Sequence, residues 1–124
     1  MIDFQNASYI KLSPINPADV AHRIGPLLVE GEQPVCAFKG IRDFVVFTTK
    51  RIIAVNVQGM TGKKVDCTSL PYNRIQSFSV ETAGTFDLDA ELDLWFSGLG
   101  KVRFEFRGSV DVAYLSKLVG HYVL

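Results

Sequence analysis

Between residues 87 and 107 apolar and polar residues alternate with period two. Leu88, Ala90, Leu92, Leu94 and Phe96 alternate with Asp87, Asp89, Glu91, Asp93 and Trp95. After Ser97-Gly98-Leu99-Gly100, the residues Val102, Phe104 and Phe106 alternate with Lys101, Arg103, Glu105 and Arg107. This pattern predicts a hairpin with one face in a core and one outside. An earlier stretch breaks the rule. Phe44, Val46 and Phe47, then Ile52, Ile53, Val55 and Val57, place apolar groups on both faces of their strands. An antiparallel sheet in a small domain usually leaves one face wet, so a helix, a closed barrel or another subunit must cover the second face. Strands are expected over 34–39, 43–49, 51–57, 63–69, 74–82, 87–96 and 101–107. Turns fall at Thr48-Thr49-Lys50 and at 57–62, where Gly59 and Gly62 can take positive φ. Pro71 has no N–H to donate and marks Leu70–Asn73 as a connection.

Helical signals flank the strands. Asn16-Pro17-Ala18-Asp19 offers a cap, a proline at the first helical position and an acid near the exposed N–H groups. Val20, Ile24, Leu27 and Leu28 then form an apolar stripe, which Gly25-Pro26 breaks or kinks and Gly31-Glu32 closes. At the other end Ser109 can cap a helix, with Asp111 beside its N-terminus. Val112, Leu115, Val119 and Tyr122 share one face, with Leu118 at its border. The reading is a single mainly β domain over 1–124: an N-terminal extension with a helix over 1–31, then about seven antiparallel strands and a C-terminal helix over 32–124.

Composition adds limits. Of 124 residues 48% are hydrophobic, and 13 basic residues cancel 13 acidic ones. Zero net charge argues against nucleic acid as a partner and permits self-association. No basic start with an apolar run marks a secretory signal, and apolar runs are strand-length, so a cytoplasmic location is expected. Cys36 and Cys67 lie in strand-like surroundings and read as buried free thiols.

Candidate chemistry is sparse. The row Asp87, Asp89, Glu91, Asp93 faces a strand bearing Lys101, Arg103 and Arg107. A cross-strand charge ladder fits it better than a metal site, because a calcium loop needs glycine at its sixth position and Leu92 stands there. Two registers are open: Asp93 opposite Arg103 with Asp89 opposite Arg107, or Trp95 opposite Arg103 with Glu91 opposite Arg107. His22 and His121 lack ligands at metal spacing, and no G-x-S-x-G elbow is present. Gly59-Met60-Thr61-Gly62-Lys63 has the wrong glycine spacing for a phosphate loop. No enzyme activity, metal or cofactor is expected. The turn pairs Lys50-Arg51 and Lys63-Lys64 could hold a phosphate or lipid headgroup if hairpins bring them together; as ordinary turn residues they solubilise and protect edges.

A series of segments in order carries a resemblance. These are Arg42-Asp43, Phe47-Thr48-Thr49-Lys50-Arg51-Ile52-Ile53, Gln58-Gly59-x-Thr61-Gly62-Lys63-Lys64, Ser69-Leu70-Pro71-Tyr72, Phe78-Ser79-Val80-Glu81-Thr82-Ala83-Gly84 and Asp87-x-Asp89-x-Glu91-Leu92. The chain resembles the bacterial pleckstrin-homology family of small stand-alone proteins over about residues 32–124. The resemblance implies a pleckstrin-homology-like barrel of two nearly orthogonal sheets, capped at one end by the C-terminal helix. It also implies ring-like homo-oligomers. Eukaryotic relatives bind phosphoinositides through basic residues of the first hairpin. Here that hairpin offers only Lys39 and Arg42 beside Asp43, and Trp95 lies on a strand rather than in the closing helix, so lipid binding does not transfer. The expected function is a non-enzymatic interaction or scaffold module forming a cyclic homo-oligomer, with contacts from Phe44, Val46, Ile53, Val55, Trp95 and Arg103. An unidentified protein partner is possible. The alternative is an anion or membrane-surface binder using Lys39, Arg42, Lys50, Arg51, Lys63 and Lys64, with membrane contact at most peripheral.

Overall fold

A computed structural model describes residues 1–6, 9–82, 89–108 and 110–124. Among the described residues eight strands run in chain order: β1 (Tyr9–Ile15), β2 (Pro34–Lys39), β3 (Phe44–Thr48), β4 (Arg51–Gln58), β5 (Lys64–Pro71), β6 (Ile75–Thr82), β7 (Ala90–Phe96) and β8 (Gly100–Phe106). They lie in the order β5-β4-β3-β2-β1-β8-β7-β6. Neighbours are antiparallel except β1 and β8, which pair in parallel. β1 thus joins a β2–β5 half to a β6–β8 half. Seven of these strands stand close to their expected positions. β1 is the eighth and was not expected. Pro71 also departs from the reading: it ends β5, opposite Arg51, on an edge strand whose outer side needs no donor.

The barrel interior collects the inward rows. Val45 and Phe47 on β3 face Ala54 and Ile52 on β4, and Leu92, Leu94, Val102, Phe104 and Phe106 come from β7 and β8. Phe38 meets Phe47 and Phe106 edge-on. Helix α2 (Val112–Val123) seals one end with Leu115, Leu118 and Val119. Its cap is Asp111, whose carboxylate accepts from Tyr114 N at 3.1 Å; Ser109, the expected cap, lies outside the described residues. Tyr122 stacks on Tyr72 with ring centroids 4.7 Å apart, and the Tyr72 hydroxyl donates to Thr48 O at 2.8 Å. The helix therefore closes the end that carries the β3–β4 turn.

The second apolar face is covered from within. Phe44, Val46, Ile53 and Val55 form a separate buried cluster with Val20, Ile24 and Ala37, edged by Ile15 and Leu28. The covering segment is three short pieces, not one helix: a 3-10 turn over Pro17–Val20, a single α turn, α1 (Ala21–Ile24), and a 3-10 turn over Gly25–Leu27. Asn16 Oδ1 accepts from Ala18 N at 3.0 Å, as its capping role required, and Gly25-Pro26 ends the α turn. Burying Val20 and Ile24 here contributes about 1.5–3 kcal/mol each.

Candidate functional site

β4 separates the predicted cations. Its eight residues span roughly 25 Å, so Lys50 and Arg51 sit at the helix-capped end, whereas Lys63 and Lys64 sit at the far end. Lys39, the last residue of β2, and Arg42, in the β2–β3 turn, share that far end. The six residues therefore form no common site.

Arg51 is committed to the fold. Its Nε and Nη2 donate to Glu32 Oε2 and Oε1 at 2.9 and 3.0 Å, its Nη2 also to Leu27 O at 2.6 Å, and its Nη1 to Ser69 Oγ at 2.8 Å. Glu32 is fully buried as a side chain. It also accepts from Thr48 Oγ1 at 2.6 Å and Val29 N at 3.0 Å. Burial alone would raise the Glu32 pKa. The bonds from Arg51, Thr48 and the Val29 N–H outweigh it and hold the carboxyl down at about 2. The cluster fastens loop 28–33 to the β3–β4 turn. Sequence reading missed Glu32, since a lone acid after glycine gives no signal of burial.

At the far end the β2–β3 and β4–β5 turns are tied together. Arg42 Nη2 donates to Gly59 O. Gly62 has φ +67, and a Cβ there would come 3.3 Å from Val57 Cγ1 and 3.6 Å from Arg42 Nη2. Asp43 turns inward, its Oδ1 accepting from Val57 N at 2.9 Å and its Oδ2 from Asn56 Nδ2 at 3.1 Å. Ile41 and Met60, at the two turns, are 94% and 104% exposed. A cleft of about 300 Å³ lies between Tyr9, Leu12, Val57 and residues 40–43. The Tyr9 hydroxyl is buried without a hydrogen-bond partner among the described residues, and burial raises its pKa.

On the outer face of β7 and β8, Asp93 stands opposite Arg103 and Trp95 opposite Lys101, which settles the register. Arg103 forks onto Asp93 through Nε at 2.8 Å and Nη2 at 3.0 Å, and its Nη1 lies 3.6 Å from Glu91 Oε2. The Arg103 hydrogen bonds lower the Asp93 pKa. Asp89 Oδ1 accepts from Gly108 N at 3.0 Å; Asp87 lies outside the described residues. Trp95 is 49% exposed and borders a shallow cleft of about 290 Å³ with Ser77, Ser79 and Lys101.

Four of the expected interface residues are corrected. Phe44, Val46, Ile53 and Val55 are at most 2% exposed beneath the N-terminal segment and reach no neighbour. Trp95 and Arg103 remain at the surface. Cys67 is also corrected: it is exposed, because β5 turns Thr68 and Leu70 inward, whereas Cys36 is half-buried and burial pushes its thiol up to about 12. His22 lies on α1, and His121 on α2 meets Tyr122 edge-on. Among the described residues no group of three or more His, Cys, Asp or Glu could hold a metal, and no helix is long and apolar enough to cross a membrane.

A strand barrel closed at one end by a C-terminal helix is the pleckstrin-homology fold, and the solved structures agree. A pleckstrin-homology-domain protein from Shewanella loihica is 42% identical, with a TM-score of 0.81 over 93% of this chain and 99% of its own. A pleckstrin homology domain from Shewanella amazonensis, also 42% identical, gives 0.68 over 96% and 93%. The bacterial PH domain family profile matches residues 3–123, and the chain belongs to that family. The match takes in the N-terminal segment that the resemblance left aside. The uncharacterised Bacillus subtilis protein YjqA is 45% identical over 109 residues, 86% of this chain and 87% of its own.

Proposed function

We propose that the chain is a non-enzymatic cytoplasmic interaction module that assembles with copies of itself into a closed ring. The observation that carries this reading is Trp95, half exposed on the outer sheet face between Ser77 and Lys101, next to the Arg103–Asp93 fork. A large aromatic beside an arginine is the composition of an interface centre. β5 and β6, the two ends of the strand order, are different edges; a contact between two unlike surfaces propagates head to tail and can close into a ring. Zero net charge offers no repulsion against it. The best-formed polar cluster, Glu32 with Thr48 and Arg51, is satisfied by its own members, so it leaves no group for a substrate, which favours binding over catalysis.

The test is solution mass by light scattering on the wild type and on Trp95→Asp and Arg103→Glu. The expected result is a defined oligomer that either substitution dissociates into folded monomers. A wild-type monomer at micromolar concentration would refute the ring.

A further inference from the structure

β5 and β6 end the strand order, and the chain treats the two edges differently. β5 carries Lys64 and Pro71 at its ends, and Ile2 is anchored at its middle, buried, with its N–H donating to Thr68 Oγ1 at 3.0 Å. Lysine, proline and a covering segment all blunt an edge. β6 has none of them. Its sequence holds no lysine or proline, and its pairing with β7 is regular from Ser77 to Thr82. Among the described residues no backbone hydrogen bond joins it to anything but β7. The core is also left open on this side. Ala90, Leu92, Leu94 and Phe96 of β7 are at most 5% exposed, whereas Phe78 and Val80, opposite Leu94 and Leu92, are only partly buried. Helix α2 walls this side: Phe78 Cζ lies 3.8 Å from the position of a Cβ on Gly120.

We propose that β6 is a docking edge for an extended segment of another protein, which adds as a further strand antiparallel to β6. The free backbone groups of the edge supply the hydrogen bonds, and alternate apolar side chains of the segment cover Phe78 and Val80. Charge sets its direction. At one end Glu81 stands opposite Glu91 and Glu91 opposite Glu105. Such a row repels itself, and its one ion pair among the described residues is Glu91 with Arg103, at 3.6 Å; a basic residue at the start of the segment relieves it. At the other end Arg74 is exposed beside a cleft of about 380 Å³ shared with Asn73, Gln76 and Ser97. No ion pair among the described residues engages it, so an acidic residue fits there. The site does not depend on self-assembly, since Trp95 lies one strand further in, on the outer face.

The probe is a fluorescein-labelled peptide, Lys-Val-Thr-Val-Thr-Val-Glu, read by fluorescence anisotropy on wild type and Trp95→Asp, with light scattering alongside. Both proteins should bind it, and Val80→Asp should weaken binding by about tenfold or more. Glu81→Lys should exchange the preference at the first position, so that the peptide beginning with Glu binds more tightly than the one beginning with Lys. N-methylation of one alternate set of peptide amides should abolish binding and of the other set spare it, because a strand bonds its neighbour through every second residue. Absence of binding overturns the proposal. So does an equal effect of the two methylated sets, an unchanged preference in Glu81→Lys, or loss of binding in Trp95→Asp. Dissociation of a wild-type oligomer by the peptide would overturn it too, since β6 would then be a contact between copies.

Discussion

Replacing Glu32 by Gln keeps the size of the side chain and removes its charge. The carboxylate is wholly buried and receives bonds from Arg51 Nε and Nη2, Thr48 Oγ1 and Val29 N. An amide has one oxygen for these donors and turns an NH2 toward the others, leaving the Arg51 guanidinium, 20% exposed, without its counterion. Breaking one partner of a buried ion pair costs about 3–5 kcal/mol. Titration gives a second route to the magnitude. The carboxyl is depressed from 4.5 to about 2, which at about 1.4 kcal/mol per pH unit is about 3 kcal/mol. In a domain of 124 residues this lowers Tm by roughly 10 °C. Because the folded value is depressed, the contribution is complete above the ordinary value of 4.5. It declines as pH falls below that and is lost as pH passes through about 2. Urea unfolding of wild type and Glu32→Gln at about pH 7 and about pH 3 should therefore show a gap of about 3 kcal/mol that narrows by about half in acid. An equal midpoint at neutral pH, or a gap that does not narrow, would refute the reasoning.

Two further predictions concern burial. Ile24→Ala removes a side chain 1% exposed from the cluster over Phe44 and Ile53 and should cost about 2–4 kcal/mol by urea unfolding; a loss below about 1 kcal/mol would show that the N-terminal segment does not seal this face. Maleimide should label Cys67 in the folded protein and Cys36 only after unfolding, since burial holds the Cys36 thiol at about 12; mass spectrometry finding the reverse order would overturn that assignment.

What the sequence made legible follows from how each element is buried. The β7–β8 hairpin has one wet face and strict period two, so its strands could be read directly, and their register was narrowed to two choices. β1 could not be read. Its buried residues Tyr9 and Leu12 are three apart, because the pairing with β8 slips between them and Lys11 takes φ 55. A bulge of this kind erases the alternation by which a strand is recognised. The six cations were visible as residues, but their grouping depends on which end of β4 each occupies, a property of topology. Ile41 and Met60 were hidden for the opposite reason: isolated apolar residues in turns carry no periodicity.

Both-faced apolar strands pose one question with two answers, cover by the chain itself or by a neighbour, and the pattern on β3 and β4 is identical in either case. Here Val20 and Ile24 supply the cover, and the Glu32–Arg51 pair fastens the end of that segment to the β3–β4 turn. Folding therefore does not wait on assembly. A subunit whose core face was lent by a neighbour would unfold on dissociation. In this chain the proposed contact at Trp95 lies on an outer face, away from both buried clusters. Substitution of Trp95 should thus change mass and spare stability, whereas Ile24→Ala should do the reverse. Loss of both properties together in either variant would mean that cover and contact are one surface.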